Sequence, residues 1–148
     1  MRGSGRPAIF LLVAFTAFIC NSSFSFADTR TIEGIVVHVA DGDTITVLDS
    51  KKVQHRVRLA GIDAPEKGQP FANASRKQLG ELVEVKEVRV EFEKYDRYGR
   101  IVGKVLVTPP DCSTCGKTLD VGLAQITSGM AWWFRRYARA VTGGSGAL

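Results

Sequence analysis

Alternating apolar and polar residues predict five β-strands in the part of the chain that follows residue 30. In order along the chain, these runs are TIEGIVVHVA (31–40), TITVL (44–48), VQHRVRLAGI (53–62), EVRVEFE (87–93) and IVGKVLV (101–107). Each run is rich in β-branched residues or alternates apolar residues with charged ones, which is typical of a strand with one buried face. The chain is therefore expected to be mainly β.

A longer repeat predicts two helices, at residues 70–83 (PFANASRKQLGELV) and 118–129 (TLDVGLAQITSG). Pro70 suits the first turn of a helix, and Gly129 suits the residue that ends one. Apolar or small residues share one face of each helix: Phe71, Ser75, Leu79 and Leu82 in the first, and Leu119, Leu123 and Ile126 in the second. The first helix lies between the third and fourth strands, and the second follows the fifth strand.

The order of these elements favours a small closed barrel of the OB type. Five short strands can close on themselves, and a helix between strands three and four can cover one end of the barrel. A simple α+β sandwich is the alternative. OB barrels often bind oligonucleotides, but a fold alone does not establish a function.

The first 27 residues have the features of a secretory signal. They contain two arginines near the start, the apolar run AIFLLVAFTAFIC at 8–20 and the small-x-small sequence Ser-Phe-Ala that ends at Ala27. The apolar run is too short to cross a bilayer, so a membrane anchor is the weaker alternative. We expect cleavage near Ala27 and a secreted or periplasmic protein without membrane attachment.

Cleavage there would leave residues 28–148, which is 121 of 148 residues and a normal size for one domain. The signal holds two of the 20 basic residues and none of the 15 acidic ones, so the remainder carries a net charge of +3. This mild excess fits a polyanionic partner but does not require one. We expect a monomer.

Two of the three cysteines, Cys112 and Cys115, lie in the loop sequence PPDCSTCG. A structural zinc site needs four ligands, and His38 and His55 are the only histidines. A redox motif would be expected beside a βαβ pattern, which is missing. A local disulfide in an oxidising compartment is the favoured interpretation, and a reduced, idle pair is the alternative.

Three stretches carry candidate chemistry. VADGDTI (39–45) is a hairpin turn in the simplest interpretation, but it contains more acid than a turn needs. LAGIDAPE (59–66) ends with Asp63 and Glu66, which could cap a helix or could hold a metal ion and supply a base. The helical pattern becomes convincing only from Pro70, which favours a loop for these two acids. KYDRYGRIVG (94–103) is either a solvated hairpin or a source of phosphate-binding arginines and groove-lining tyrosines.

Taken together, these motifs resemble those of the thermonuclease, or staphylococcal-nuclease-like, family. The matching elements are VxDGDTI, RLxGIDAPE, YDRYGR and LAQ-xx-SGMAW, which occur in this order over about residues 31–139. No single motif is specific, but the combination is. The resemblance implies an OB-fold and an exported, calcium-dependent phosphodiesterase (a hydrolase and endonuclease) that cuts DNA and RNA and leaves 3′-phosphate ends.

The resemblance also implies roles for individual residues. Asp43, Asp63 and the backbone carbonyl of Ala64 would be the Ca²⁺ ligands, and Glu66 would be the general base. Arg58 and Arg100 would be catalytic arginines at the phosphate. Tyr98 and Tyr137 would line the nucleotide pocket, whereas Arg135 stands where the family has a further pocket tyrosine.

The proposed chemistry accounts for these residue types. A hard cation held by carboxylate and carbonyl oxygens can neutralise a phosphodiester and keep bound water. A carboxylate can take the proton of the attacking water, and two guanidinium groups can stabilise charge on the phosphate oxygens.

The chain departs from the family pattern at two places. Gly122 replaces an asparagine of the second helix, and VTGGSGAL (141–148) lacks the amphipathic pattern of the family's C-terminal helix, which we expect to be missing. The alternatives to an active enzyme are a non-catalytic nucleic-acid-binding OB module and an inactive, truncated nuclease.

Overall fold

The computed structural model describes residues 28–134, and its elements follow the predicted order. The elements are β1 (Arg30–Val39), β2 (Thr44–Asp49), β3 (Gln54–Leu59), β4 (Ile62–Asp63), α1 (Ala72–Val83), β5 (Glu87–Tyr95), β6 (Ile101–Val107), β7 (Leu119–Asp120), α2 (Val121–Thr127) and β8 (Trp132–Trp133). The five long strands and both helices are therefore confirmed. Three additional strands of two residues each were not predicted.

The five long strands form a closed barrel. Neighbouring strands follow the order β3-β2-β1-β5-β6 and pair antiparallel, and a parallel pairing of β3 with β6 closes the barrel. In the closing pair, Val57 lies opposite Ile101 and Leu59 lies opposite Gly103. Closure confirms the mainly β, OB-like barrel with two helices and excludes the simple sandwich.

The core consists of the inward-facing residues of the five strands and one face of each helix. Its fully buried members include Val36, Ile45, Val47, Val57, Val88, Val90, Leu79, Val83 and Val121. Burying a side chain of this size stabilises a fold by about 1.5–3 kcal/mol. The alternation that predicted the strands thus corresponds to the burial that holds them together.

Both helices begin later than predicted, and this changes which residues face the core. α1 starts at Ala72 because Phe71 has a left-handed backbone (φ 65°), and Phe71 is 76% exposed instead of buried. The Asp120 carboxylate caps α2 by accepting a bond from the N–H of Leu123, and Leu123 is 57% exposed. The fully buried residues of α2 are Val121, Gly122 and Gln125, whereas Leu119 and Ile126 of the predicted face are partly buried and pack against the core.

The end of α2 agrees with the prediction. Gly129 has a φ of 72°, and its N–H bonds to the carbonyl of Ile126. The next N–H, of Met130, bonds to the carbonyl of Gln125. These two bonds form a Schellman motif, in which glycine is the preferred residue because it tolerates the left-handed conformation.

The loop between β6 and β7 contains a disulfide between Cys112 and Cys115, whose Cα atoms are 5.4 Å apart. Within residues 28–134, neither helix is both long and apolar enough to span a bilayer. The predicted signal (1–27), Arg135, Tyr137 and the C-terminal sequence at 141–148 lie outside the described residues.

Candidate active site

The turn between β1 and β2 places Asp43 next to β3. The N–H of Leu59 bonds to the Asp43 carbonyl at 2.8 Å, and the N–H of Asp43 bonds to the Asp41 carboxylate at 3.1 Å. The hairpin interpretation of this motif is thus correct for its backbone. The hairpin does not exclude a chemical role for Asp43. Its side chain is buried, with 6% exposed, whereas an acid that only served a turn would face solvent.

Arg58 joins the two predicted metal carboxylates. Its Nη1 lies 2.6 Å from Asp43 Oδ2, and its Nη2 lies 2.8 Å from Asp63 Oδ1. The same guanidinium also donates to the carbonyl of Ile62 at 3.1 Å. Two carboxylates that are 20 positions apart in the sequence therefore contact the same guanidinium group in the folded chain.

The environment of Asp43 affects its proton affinity. Burial is the largest influence and raises the pKa of Asp43 to about 7, and the nearby Asp41 adds to this effect. Arg58 and the hydroxyl of Thr44, which donates to Asp43 Oδ1 at 2.9 Å, lower the pKa but do not offset burial. A buried carboxylate of this kind is more readily ionised when a cation lies next to it.

The stretch that follows β3 forms a loop, so the helix-cap interpretation of Asp63 is wrong. Asp63 lies in β4, where it pairs with Trp132, and α1 begins only at Ala72. The N–H of Ala64 donates to Asp43 Oδ2 at 3.1 Å, which ties the start of this loop to the β1–β2 turn.

Glu66 lies further along the same loop and is exposed. Its backbone N–H donates to the side chain of Gln69 at 2.8 Å, and its carbonyl accepts from the N–H of Gln69 at 2.9 Å. Within residues 28–134, the Glu66 carboxylate has no hydrogen bond or ion pair to a protein group. The loop therefore fixes the backbone of Glu66 and leaves its carboxylate accessible.

The turn between β5 and β6 positions Arg100. Asp96 accepts bonds from the backbone N–H groups of Tyr98 and Arg100, and its other oxygen accepts from Arg100 Nε at 2.7 Å. Burial raises the pKa of Asp96, but these bonds outweigh it and hold the pKa below its usual value. Asp96 is therefore ionised at neutral pH and holds the Arg100 side chain.

Arg58 and Arg100 face a common cavity, which also contacts Asp96 and Val102. Parallel pairing explains this, because Arg58 lies opposite Val102 in the register of β3 and β6. Tyr98 is 65% exposed beside this cavity, with the guanidinium carbon of Arg100 5.4 Å from the centre of its ring. The structure thus gathers Asp43, Asp63, Arg58 and Arg100 into one site with Tyr98 at its edge.

Comparison with known proteins identifies the family. The family described as "Staphylococcal nuclease homologue" matches residues 56–144, which is more than half of the chain. The chain belongs to the staphylococcal nuclease family. It is 38% identical over 127 residues to a protein of Shigella flexneri named micrococcal nuclease, a match that covers 86% of this chain and 71% of the relative.

Other relatives of this nuclease agree with the assignment. It is 39% identical over 133 residues to Protein ParB of Escherichia coli, covering 90% of this chain and 73% of the relative. It is 42% identical over 106 residues to an uncharacterized endonuclease of Escherichia coli, covering 72% of this chain and 63% of the relative. The predicted family, fold and hydrolase class are confirmed, and the roles assigned to individual residues stay predictions.

The predicted cation site has few side-chain ligands. Within residues 28–134, no group of three or more His, Cys, Asp or Glu side chains is arranged to hold a metal ion. Two carboxylates, Asp43 and Asp63, and the backbone carbonyl of Ala64 are the candidate ligands. Oxygen-only donors fit a hard cation such as Ca²⁺, and the guanidinium between the carboxylates shows that their arrangement accommodates positive charge.

One buried residue was not predicted to contribute to the site. Gln125 of α2 is fully buried, and its Nε2 donates to the carbonyl of Gly42 at 2.8 Å and to that of Ser75 at 3.1 Å. It therefore connects α2 and α1 to the turn that carries Asp43. The signal in the sequence was a glutamine beside apolar residues in α2, and its partners lie 83 and 50 positions away.

Proposed function

We propose that this nuclease is an exported, calcium-dependent phosphodiesterase that hydrolyses DNA and RNA and leaves 3′-phosphate ends. The observation that carries the proposal is that Asp43 and Asp63 both contact the guanidinium of Arg58. Arg58 in turn lines a cavity together with Arg100. A site with two carboxylates and two arginines can accept a cation and an anionic phosphodiester together. The names of the relatives and the family match support the nuclease class.

The proposed cation site consists of Asp43, Asp63 and the carbonyl of Ala64. Ca²⁺ bound there would neutralise charge on the phosphodiester and retain water beside it. The raised pKa of Asp43 supports this assignment, because a carboxylate that is costly to ionise alone gains most from a neighbouring cation.

The catalytic roles follow from the chemistry of each side chain. Glu66 removes a proton from water as the water oxygen attacks phosphorus, which contributes about 10²–10⁴-fold to the rate. The bond from phosphorus to the 5′-oxygen breaks, and that oxygen takes a proton from solvent. Arg58 and Arg100 donate hydrogen bonds to the phosphate oxygens as their charge increases, and both remain cationic at any relevant pH.

This mechanism supports the proposed products and substrates. The phosphate stays on the 3′-oxygen because the 5′-oxygen is the leaving group. The nucleophile is water and not a ribose 2′-hydroxyl, so both DNA and RNA can be cleaved. Tyr98 and Tyr137 are proposed to line the nucleotide pocket, and Tyr98 is exposed as this role requires.

The location of the protein is part of the proposal. Residues 1–27 would direct export, and the Cys112–Cys115 disulfide would form in the oxidising compartment that the protein reaches. The protein would act there as a monomer.

The test compares wild type with Glu66→Gln, which keeps the shape of the side chain but cannot accept a proton. We expect wild type to digest single-stranded DNA and RNA with calcium and not with a chelator. In Glu66→Gln, turnover should fall by about 10²-fold or more while oligonucleotide affinity changes little. Mass spectrometry of the products should find 3′-phosphates.

Glu84→Gln is the matched control, since it removes one exposed carboxylate at the other end of α1. Digestion that persists in chelator would overturn the calcium assignment. Near-normal turnover in Glu66→Gln would overturn the role of the base, and 5′-phosphate products would overturn the choice of leaving group.

A further inference from the structure

A second cavity lies against the β1–β2 turn, the loop after β4 and the start of α1. Its lining includes Asp41, two residues before Asp43, and Pro65, directly before Glu66, together with Lys67, Asn73 and Arg76. It shares no lining residue with the cavity that contains Arg58 and Arg100. The two cavities therefore reach the site through different residues.

The second cavity has an excess of positive charge, because two cations and one carboxylate, Asp41, are among its lining residues. Lys67 and Arg76 are both exposed, and within residues 28–134 neither has an ion pair or a side-chain hydrogen bond. The Asp41 carboxylate accepts the N–H of Asp43 and, in the described chain, makes no ion pair with either cation. By contrast, Lys77, which follows Arg76 in α1, has its Nζ 3.9 Å from Glu81 Oε1. Two cations without protein partners beside a cavity are suited to a phosphate.

An exposed aromatic residue adjoins the lining of this cavity in the chain. Phe71 directly precedes Ala72 and Asn73, two residues that line the cavity, and it is 76% exposed. Its left-handed backbone costs about 1–2 kcal/mol relative to the usual conformation. Neither the exposure of the Phe71 ring nor its backbone strain stabilises the fold. Packing therefore does not explain why phenylalanine occupies this position. Aromatic rings beside basic grooves commonly stack on the bases of single-stranded nucleic acids.

We infer that Lys67, Phe71 and Arg76 form a second nucleotide subsite, which holds the part of the substrate strand on the opposite side of the scissile phosphate from Tyr98. Phe71 stacks on a base, and Lys67 and Arg76 bind the phosphate that follows the scissile one. This inference rests on the proposed function for the position of the scissile phosphate. Its occupant is single-stranded DNA or RNA, because a base must be unpaired to stack on a side chain.

The test uses two substrates with wild type, Phe71→Asn, Phe71→Trp and Arg76→Ala. One substrate is a single-stranded oligonucleotide, and the other is a mononucleotide p-nitrophenyl phosphodiester, which has no nucleotide beyond the scissile bond. Asparagine tolerates the left-handed backbone, so Phe71→Asn should melt at or above the temperature of wild type. Tryptophan retains a stacking surface.

We expect Phe71→Asn to lower kcat/KM on the oligonucleotide by about 5- to 150-fold, the range found when stacking side chains are removed. Phe71→Trp should restore it, and the p-nitrophenyl substrate should show no change. Arg76→Ala should also make the plot of log affinity for the oligonucleotide against log salt concentration less steep, by about 0.7. Lys51→Ala, an exposed lysine in the β2–β3 turn, is the control for charge.

Equal losses on both substrates, or no loss on the oligonucleotide, would overturn the subsite. A wild-type protein that cleaves neither substrate would overturn the proposed function instead. The subsite would then be judged by fluorescence anisotropy of a labelled oligonucleotide. Weaker binding by Phe71→Asn but not by Lys51→Ala would support it, and unchanged binding by Phe71→Asn would overturn it.

Discussion

At the scale of single residues, Gly42 shows how the site depends on close packing. Glycine in an Asp-Gly turn is usually explained by a positive φ, but Gly42 does not have one. Instead, a Cβ on Gly42 would overlap the hydroxyl of Ser75 and lie 2.8 Å from Ala64 Cβ. Only glycine allows the Asp43 turn to approach α1 and the Ala64 loop this closely.

Gly42→Ala is expected to lose stability and activity together. The added methyl group displaces Ser75, whose hydroxyl donates to the carbonyl of Met130 at 2.7 Å, and it shifts the turn that carries Asp43. Overpacking of this kind costs about 1–3 kcal/mol. Denaturant unfolding and nuclease assays would measure both effects.

Gly122→Ala is the matched control for this experiment. A Cβ on Gly122 would lie 3.4 Å from Asp120 Oδ1 and 3.5 Å from Ile62 Cγ2, which are ordinary contacts. Alanine is also favoured over glycine in helices by up to about 1 kcal/mol, so this variant should be at least as stable as wild type. Equal tolerance of both substitutions would show that the Gly42 contact is not critical.

Sequence alone predicted the charged residues of the site but not those that hold them. The resemblance to the nuclease family implied site roles for Asp43, Arg58 and Asp63, because they lie in the motifs that carry that resemblance. Gln125 could not be recognised, since its role depends on carbonyl groups of the β1–β2 turn and of α1 that only the folded chain brings near. Its Oε1 is buried without a hydrogen-bond partner in the described chain, so the Nε2 bonds alone account for its position.

At the scale of elements, the turn that joins α1 to β5 is strained. Glu84 has φ −62° and ψ 131°, Val85 has φ 58°, and the N–H of Lys86 bonds to the carbonyl of Val83. These features match a type II turn, whose third residue is normally glycine or asparagine. A β-branched residue is poorly suited to this position, and Val85 gains little from burial because it is 80% exposed.

Val85→Asn is therefore expected to stabilise the protein by about 1 kcal/mol, since asparagine tolerates the left-handed conformation. Thermal melting of the variant should show the increase, with nuclease activity unchanged. Val37→Asn, at an exposed position of β1 where φ is not positive, is the control and should not be stabilising. A lower melting temperature for Val85→Asn would show that the side chain of Val85 stabilises the turn.

The long strands were predictable because their alternation is a local pattern that the barrel uses directly. The start of α1 was not, because the left-handed Phe71 breaks the helix where the apolar pattern continues. The two-residue strands were also unpredictable. β4 exists only because Ile62 and Asp63 meet Trp133 and Trp132, about 70 positions later in the chain.

At the scale of the whole molecule, closure of the barrel creates the site. The parallel pairing of β3 with β6 sets Arg58 beside the strand that follows Arg100, and the β1–β2 turn supplies Asp43. β8 then pairs Trp132 with Asp63 at the other predicted carboxylate ligand. The site therefore depends on contacts among most of the barrel, and an unfolded chain cannot form it.

A ligand that binds this site should consequently stabilise the whole fold. Calcium with a nucleotide 3′,5′-bisphosphate, at a hundredfold excess over its Kd, should add about 2.7 kcal/mol to the free energy of unfolding. For a domain of this size, that corresponds to roughly 10 °C in melting temperature. Trp132 and Trp133 are about half exposed and adjoin Asp63, so their fluorescence can report both binding and unfolding.

The control for this melt is Asp43→Ala, which removes one of the two proposed carboxylate ligands and should abolish the shift caused by calcium and the bisphosphate. The variant also leaves Arg58 with one carboxylate partner instead of two, so its own melting temperature must be measured without ligand as the reference. A shift of wild-type size in Asp43→Ala would show that the ligands stabilise the barrel from another site. A wild-type protein that calcium and the bisphosphate do not stabilise would contradict the cation site itself, because mass action requires stabilisation by any ligand that binds only the folded state.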